Sequence, residues 1–190
     1  AGLRELSARR RPGLAVLLER AGVERERALD AVDVGWRIGP RLNAPGRLGD
    51  AAPSLALLLE TDPTRAAAAA ETCEEANSRR RLLTASMTEE AIVLVGASLA
   101  AGVTVAKVGW HPGIVGIVAG RLARSLGRPA VVIALDEAGL GRGSVRSVPG
   151  VDVYRALTAC REHLVKFGGH ALAAGLTIEV AHVEAFAQSF

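Results

Sequence analysis

Apolar positions in the first sixty residues recur with helical spacing, but only in short runs. Leu3 to Leu6 and Leu14 to Ala21 predict two small helices on either side of Pro12-Gly13, and Val23 to Asp30 predicts a third after Gly22. In residues 34–50, VGWRIGPRLNAPGRLGD, four glycines and two prolines argue against a regular helix, and Arg37, Arg41, Arg47 and Asp50 stand among apolar neighbours. This stretch is expected to be a functional loop. Ala51 to Leu59 reads as a short helix, after which Thr61-Asp62-Pro63 supplies a capping residue and a proline at the first helical position. The helix so opened is expected to continue to about Ala101, roughly 55 Å at 1.5 Å per residue, and to run between domains. Its second half, AIVLVGASLAAG, is apolar nearly all round, which predicts burial.

From Gly102 the periodicity changes to strands alternating with helices. VTVAKV (103–108) reads as a strand, IVGIVAGRLARSLG (114–127) as a helix, AVVIAL (130–135) as a buried strand and GRGSVRSV (141–148) as a two-faced strand. Asp152 is placed to cap a helix reaching Glu162, ALAAGLTIEV (171–180) reads as a strand, and a last helix starts near His182. The pattern predicts an α/β domain built on a sheet.

Composition narrows the class. Of 190 residues, 49% are hydrophobic and 23% charged, which supports a sizeable core and excludes global disorder. The 21 glycines have no three-residue period, and two cysteines, Cys73 and Cys160, are too few for a disulfide scaffold; both read as packed, reduced thiols. No stretch approaches the roughly 20 apolar residues of a membrane span, and the N-terminal segment has no signal-peptide core. Met87 is the only methionine, so the chain is expected to be a piece of a longer protein. Net charge is only +3, yet 21 of the 23 basic residues are arginine. Two causes compete for that excess: the codon usage of a GC-rich genome, and contact with phosphate, which the guanidinium fork suits. Aromatic residues are too scarce for a protein that reads bases chiefly by stacking.

Four segments carry candidate chemistry. In GRGSVRS, Ser144 and Arg146 lie two apart, so on a strand they leave one face together with Arg142; with Gly143 permitting close approach, they form a candidate phosphate clasp. The alternative is an edge strand made polar against aggregation. In KFGGH, Gly168 and Gly169 offer bare backbone and His170 an imidazole, or the pair of glycines is only a turn. In GWHPG the amides opening the next helix face an anion, or Trp110 covers the core while His111 caps the turn. Arg41, Asn43 and Arg47 cluster in PRLNAPGR, either around a phosphodiester or as surface arginines beside a local turn. A two-metal hydrolytic site needs converging aspartates and histidines, whereas the six aspartates here are scattered and none adjoins a histidine. There is no P-loop, nucleophile elbow or dinucleotide-binding fingerprint, so no catalytic residue is assigned within these 190 residues and the stretch by itself is expected to be inactive.

In this order, RIGPRLNAPGRLGDA, GWHPGIVGIVAGRLARSLGRPAVVIAL, GRGSVRSVPGVDVYRAL and KFGGHALAAGLTI resemble the bacterial RecJ family of single-strand-specific 5′ to 3′ DNA exonucleases, in the DHH phosphoesterase superfamily. The resemblance implies a helical tail of a DHH domain in residues 1–60, a connecting helix in 61–102 and a mixed-sheet DHH-associated domain in 103–190. It places the ligands for manganese or magnesium in a DHH domain ahead of Ala1 and expects no metal bound by this piece. It also implies that Arg41, Asn43 and Arg47 hold backbone phosphates, that Ser144 and Arg146 bind the terminal 5′ phosphate, and that Gly168, Gly169 and His170 line the substrate side. Arg142 stands where the family commonly has lysine, which keeps the charge and changes its geometry. Single-stranded DNA with a 5′ end is the implied partner, with a helicase and a single-strand-binding protein beyond it, in the cytoplasm, for repair and recombination. The alternatives are a smaller DHH phosphodiesterase acting on oligonucleotides or signalling dinucleotides, and a non-catalytic strand-binding module.

Overall fold

Proline and glycine punctuate the first half of the chain. In the computed structural model, which describes residues 2–190, the helices α1 (Gly2–Ser7) and α2 (Pro12–Arg20) flank the break at residues 8–11. Gly13 is required by contact: a Cβ there would lie 1.8 Å from the carbonyl oxygen of Leu57 in α4 (Ala52–Leu59). The third predicted helix is absent, and residues 23–30 run without regular structure. Only Val23 and Leu29 of this segment are buried, so the charged run between them has no apolar face for a helix to cover. Its ends are tied instead, Arg9 donating to the carbonyls of Val23 and Glu24 at 2.7 Å each and Leu29 donating its amide to Ser7 Oγ.

Residues 33–48 are helical where the sequence predicts a loop. A π-helical turn, Asp33–Ile38, leads directly into α3 (Gly39–Leu48). Asp30 and Asp33 start it reciprocally, each carboxylate accepting the other's amide, as in a capping box. Asp33 is 2% exposed. The Asp30 amide, with Arg27 and Arg37 adding their charge, holds its carboxyl below the usual range against the opposing effect of burial. The wide turn reconciles the sequence with helix: the Gly39 amide reaches back to the Val34 carbonyl, and a Cβ on Gly39 would be 2.9 Å from that oxygen. Pro40 then falls in the first turn of α3, where no amide donor is needed, and Pro45 is held by burial beside Ala44. Leu17, Leu18, Val23, Leu29, Ile38, Leu57, Ala70 and Cys73 form the core here.

Helix α5 (Pro63–Val95) is continuous over 33 residues, about 50 Å. Its buried positions, Ala66, Ala70, Cys73, Asn77, Thr84, Met87, Ala91 and Val95, trace a stripe with steps of three, four or seven. It stops at Val95, short of Ala101, because Gly96 turns left-handed at φ +52°. The expected burial of its last turns all round is also corrected: Ala91 and Val95 are buried, but Ile92, Val93 and Leu94 between them are all at least half exposed. The chain divides into two compact units, Ala1–Leu82 and Leu83–Phe190.

The second unit is built on a mixed sheet of β1 (Val103–Val108), β2 (Ala130–Leu135), β3 (Leu140–Arg146), β4 (Lys166–His170) and β5 (Ala173–Glu179), in the order β1-β2-β3-β5-β4. Strands β1 and β2 are parallel and joined through α6 (Val115–Leu126); every other pairing is antiparallel. One face carries Val131, Ile133, Val145, Ala174, Leu176 and Ile178 against α7 (Val153–Ala159) and α8 (Val183–Ser189), which contribute Val153, Leu157 and Phe186. Asp152 caps α7 by accepting the amides of Tyr154 and Arg155; the α-helix ends at Ala159 and a single tight turn carries the chain past Glu162. On the opposite face α6 lies over β2 and β3, with Val118, Ala119 and Leu122 buried. Both cysteines are free and buried, and burial raises both thiol pKa values. No described helix is long and apolar enough to cross a membrane.

Candidate functional site

The strand register brings five of the predicted residues to one surface. Pairing matches Arg146 with Ala173 and Ala173 with His170, Ser144 with Gly175 and Gly175 with Gly168, and Arg142 with Thr177 and Thr177 with Lys166. Arg142, Ser144, Arg146, Gly168 and His170 therefore leave the sheet on the face that α6 covers only over β2 and β3. Beyond α6 the floor is low, because Gly168 and Gly175 have no side chains and both are exposed.

Arg146 is held in place before any ligand arrives. Its Nη1 donates to Ser144 Oγ and to the Val145 carbonyl, both at 2.8 Å. The Ser144 hydroxyl, accepting from Arg146, keeps its own proton to donate. Both groups lie against the first turn of α6: a Cβ on Gly116 would be 3.0 Å from Arg146 Nη2 and 3.1 Å from Ser144 Oγ. Amides at a helix N-terminus lack intrahelical acceptors and carry the positive end of the dipole. Guanidinium, hydroxyl donor and helix terminus thus meet at one place, which is chemistry suited to a multiply charged oxyanion. His170 accepts the Leu172 amide at Nδ1 (3.3 Å), so its neutral ring carries the proton on Nε2.

Two glycines do different work from that expected. Gly169 is exposed but lies on the opposite side of the strand from Gly168, at φ +151° and tight against β5; a Cβ there would be 2.4 Å from the Ala173 carbonyl oxygen and 2.7 Å from Ala174 Cβ. Gly143 faces the core, where a Cβ would meet Leu176 at 2.7 Å, so packing rather than anion approach explains it. In the GWHPG turn, Trp110 is buried and donates to Glu90 Oε2 at 2.8 Å, and His111 Nδ1 accepts the Gly113 amide. Glu90 also accepts from Lys107 and Ser86; the Lys107 bond, then those from Trp110 and Ser86, holds its carboxyl down at about 2.

The first unit holds Arg41, Asn43 and Arg47, and its helix separates them. Asn43 and Arg47, four apart on α3, share an exposed face. Arg41 points elsewhere, in a largely buried ion pair with Glu74 and a 2.8 Å bond to the Arg37 carbonyl. Its charge is already matched.

Sequence reasoning missed Gly116, Glu74, Lys166 and Thr177 as parts of these surroundings. A cue existed for Gly116: it stands four residues before Gly120 in the apolar first half of the helix, a spacing that puts both on the side facing β3. Among the described residues no three of His, Cys, Asp and Glu converge, so nothing here fits a divalent ion.

Residues 100–190 match the DHHA1 domain, and the mixed sheet with its α6 face is that class of domain. Over nearly the whole chain the likeness extends further. The single-stranded-DNA-specific exonuclease RecJ of Bacillus subtilis is 39% identical over 186 residues, covering 96% of this chain and 23% of that protein. The crystal structure of RecJ in complex with Mg2+ from Thermus thermophilus superposes with a TM-score of 0.88 at 33% identity, covering 99% of this chain and 29% of that one. A crystal structure of exonuclease RecJ bound to manganese gives 0.83 at 34% identity, over 99% and 46%. The chain belongs to the RecJ family, as the DHHA1-bearing part of its core. It spans less than half the length of each of these relatives.

Proposed function

We propose that this chain is the strand-holding part of a 5′ to 3′ single-stranded-DNA exonuclease of DNA repair and recombination. Ser144 and Arg146 bind the terminal 5′ phosphate, His170 and Gly168 flank it, and Asn43 and Arg47 contact the backbone nearer the scissile bond. Arg41 serves by fixing α3 through Glu74. Hydrolysis, with manganese or magnesium to activate water, is assigned to a DHH domain outside these residues. On this reading residues 1–60 complete that DHH domain, 61–102 connect and 103–190 are the DHHA1 domain; the enzyme is cytoplasmic and works beside a helicase and a single-strand-binding protein.

The observation that carries the proposal is the Ser144–Arg146 pair held against the first turn of α6. A terminal phosphate differs from an internal diester in charge and in free oxygens, and those are what this arrangement reads. Charge-assisted bonds contribute about 1.5 to 3 kcal/mol each. In the complete enzyme, Arg146→Ala is expected to lower the preference for 5′-phosphorylated over 5′-hydroxyl strands at least about tenfold, whereas Arg47→Ala slows cleavage of both alike. An unchanged preference in Arg146→Ala refutes the assignment of the end pocket.

A further inference from the structure

Beside the end pocket, the open face continues into a hollow of about 520 Å³, lined by Arg142, Lys166, Gly168, Gly175 and Thr177 among others. Register sets Arg142 and Lys166 on either side of Thr177, one strand away in each direction. The two cations therefore converge over a hydroxyl. None of the three side chains has a hydrogen-bond or ion-pair partner among the described residues, and both cations are exposed. The nearest carboxylate along that face is Glu179, one row further on and paired with neither cation. Unmatched positive charge over a floor made of glycine backbone is a place for an anionic chain, not for a buried apolar ligand.

The row of Arg142, Thr177 and Lys166 lies four strand residues from the row of Arg146 and His170, about 13 Å at the strand rise. Ser144, to which the Arg146 guanidinium is bonded, stands between the two rows, two residues or about 7 Å from Arg142, so the phosphate that follows the end already comes within reach of the second row. The Ser144, Gly175 and Gly168 row between them has side chains too small to block a strand.

We infer that Arg142, Thr177 and Lys166 form a second phosphate subsite, which takes a backbone phosphate of the strand whose 5′ end is held at Ser144 and Arg146. The strand then runs over Gly168 and Gly175, along β3 and away from His170. This rests on the proposed function and adds a direction and two residues, Lys166 and Thr177, to it.

The test is binding, measured by fluorescence anisotropy over a salt series without divalent metal, in the complete protein. The probes are 3′-labelled, 5′-phosphorylated thymidylates of one and six nucleotides. The hexamer has backbone phosphates for the second subsite and the mononucleotide has only the end phosphate. Lys166→Ala is expected to weaken the hexamer about fivefold, to lower the slope of log affinity against log salt by about 0.7, and to leave the mononucleotide unchanged. Thr177→Val weakens the hexamer with no change in slope. Arg146→Ala weakens both probes. Equal losses on the two probes in Lys166→Ala mean that it serves the end itself and overturn the second subsite while leaving the end pocket standing. No loss on either overturns it as well. If the unaltered protein binds neither probe, the proposed function fails and the subsite fails with it. Lys166 is exposed on an outer strand, so its truncation is not expected to disturb folding; thermal unfolding verifies this.

Discussion

Gly116 offers a perturbation in which binding and stability move in opposite directions. Adding a methyl group there places a Cβ 3.0 Å from Arg146 Nη2 and 3.1 Å from Ser144 Oγ, closer than carbon normally stands to either. The guanidinium is the end of a flexible side chain, so it gives way by a few tenths of an ångström and the backbone need not. Gly116→Ala therefore loosens the Ser144–Arg146 pair without opening the core. Losing about one charge-assisted bond to the end phosphate amounts to roughly 1.5 kcal/mol, or about tenfold in affinity. Meanwhile alanine is the better helix former by about 0.5 to 1 kcal/mol, so α6 is not weakened. The control is Gly120→Ala, whose Cβ would meet Arg146 Cγ at an ordinary 3.9 Å. Paired anisotropy titrations with 5′-phosphorylated and 5′-hydroxyl strands of equal length, alongside thermal unfolding, give both quantities. The expected result is a tenfold loss of phosphate preference in Gly116→Ala only, with Tm unchanged or raised in both variants. Retention of the preference in Gly116→Ala, or equal loss in Gly120→Ala, refutes the claim that this geometry reads the strand's end.

Two neighbouring glycines on β4 make a second contrast. Gly168→Ala meets nothing within 4 Å and is expected to fold normally while weakening strand binding, whereas Gly169→Ala, forced against Ala173 and into a conformation alanine avoids, loses about 2 to 4 kcal/mol in chemical denaturation; equal stabilities would contradict the facing assigned to them. Glu90 predicts an acid limb: with its pKa at about 2 in the folded chain against 4.5 when unpaired, it contributes stability that is complete above 4.5 and lost as pH falls towards 2. Glu90→Gln should then flatten the fall of Tm between about pH 5 and pH 2, and parallel curves for variant and parent would exclude Glu90 as the source.

What the sequence made legible was the two-residue alternation of β3. Arg142, Ser144 and Arg146 share a face because that period survives any tertiary context, and Gly141, Gly143 and Val145 face inward for the same reason. PRLNAPGR reads as a loop only while each Pro and Gly is weighed by itself. A single wide turn at Gly39 sets Pro40 into the first turn of the next helix, and that consequence of i to i+5 bonding has no local cue. Val23 to Asp30 has the spacing of a helix but only two buried anchors. Partners distant in sequence stay invisible: Glu74 stands 33 residues from Arg41, and Gly116 meets Ser144 from another element.

The place of β4 at the margin of the sheet carries a different implication. An outermost strand presents unpaired backbone groups along one side, a template on which another polypeptide can zip up. This one is five residues long, starts with a lysine, ends with a histidine and has two glycines at its middle, a composition with little tendency to recruit a neighbour. A bulky β-branched side chain at Gly168 would strengthen the strand and at the same stroke make it adhesive. A glycine at this position therefore answers two demands at once, an edge that recruits no neighbour and a surface that no side chain obstructs.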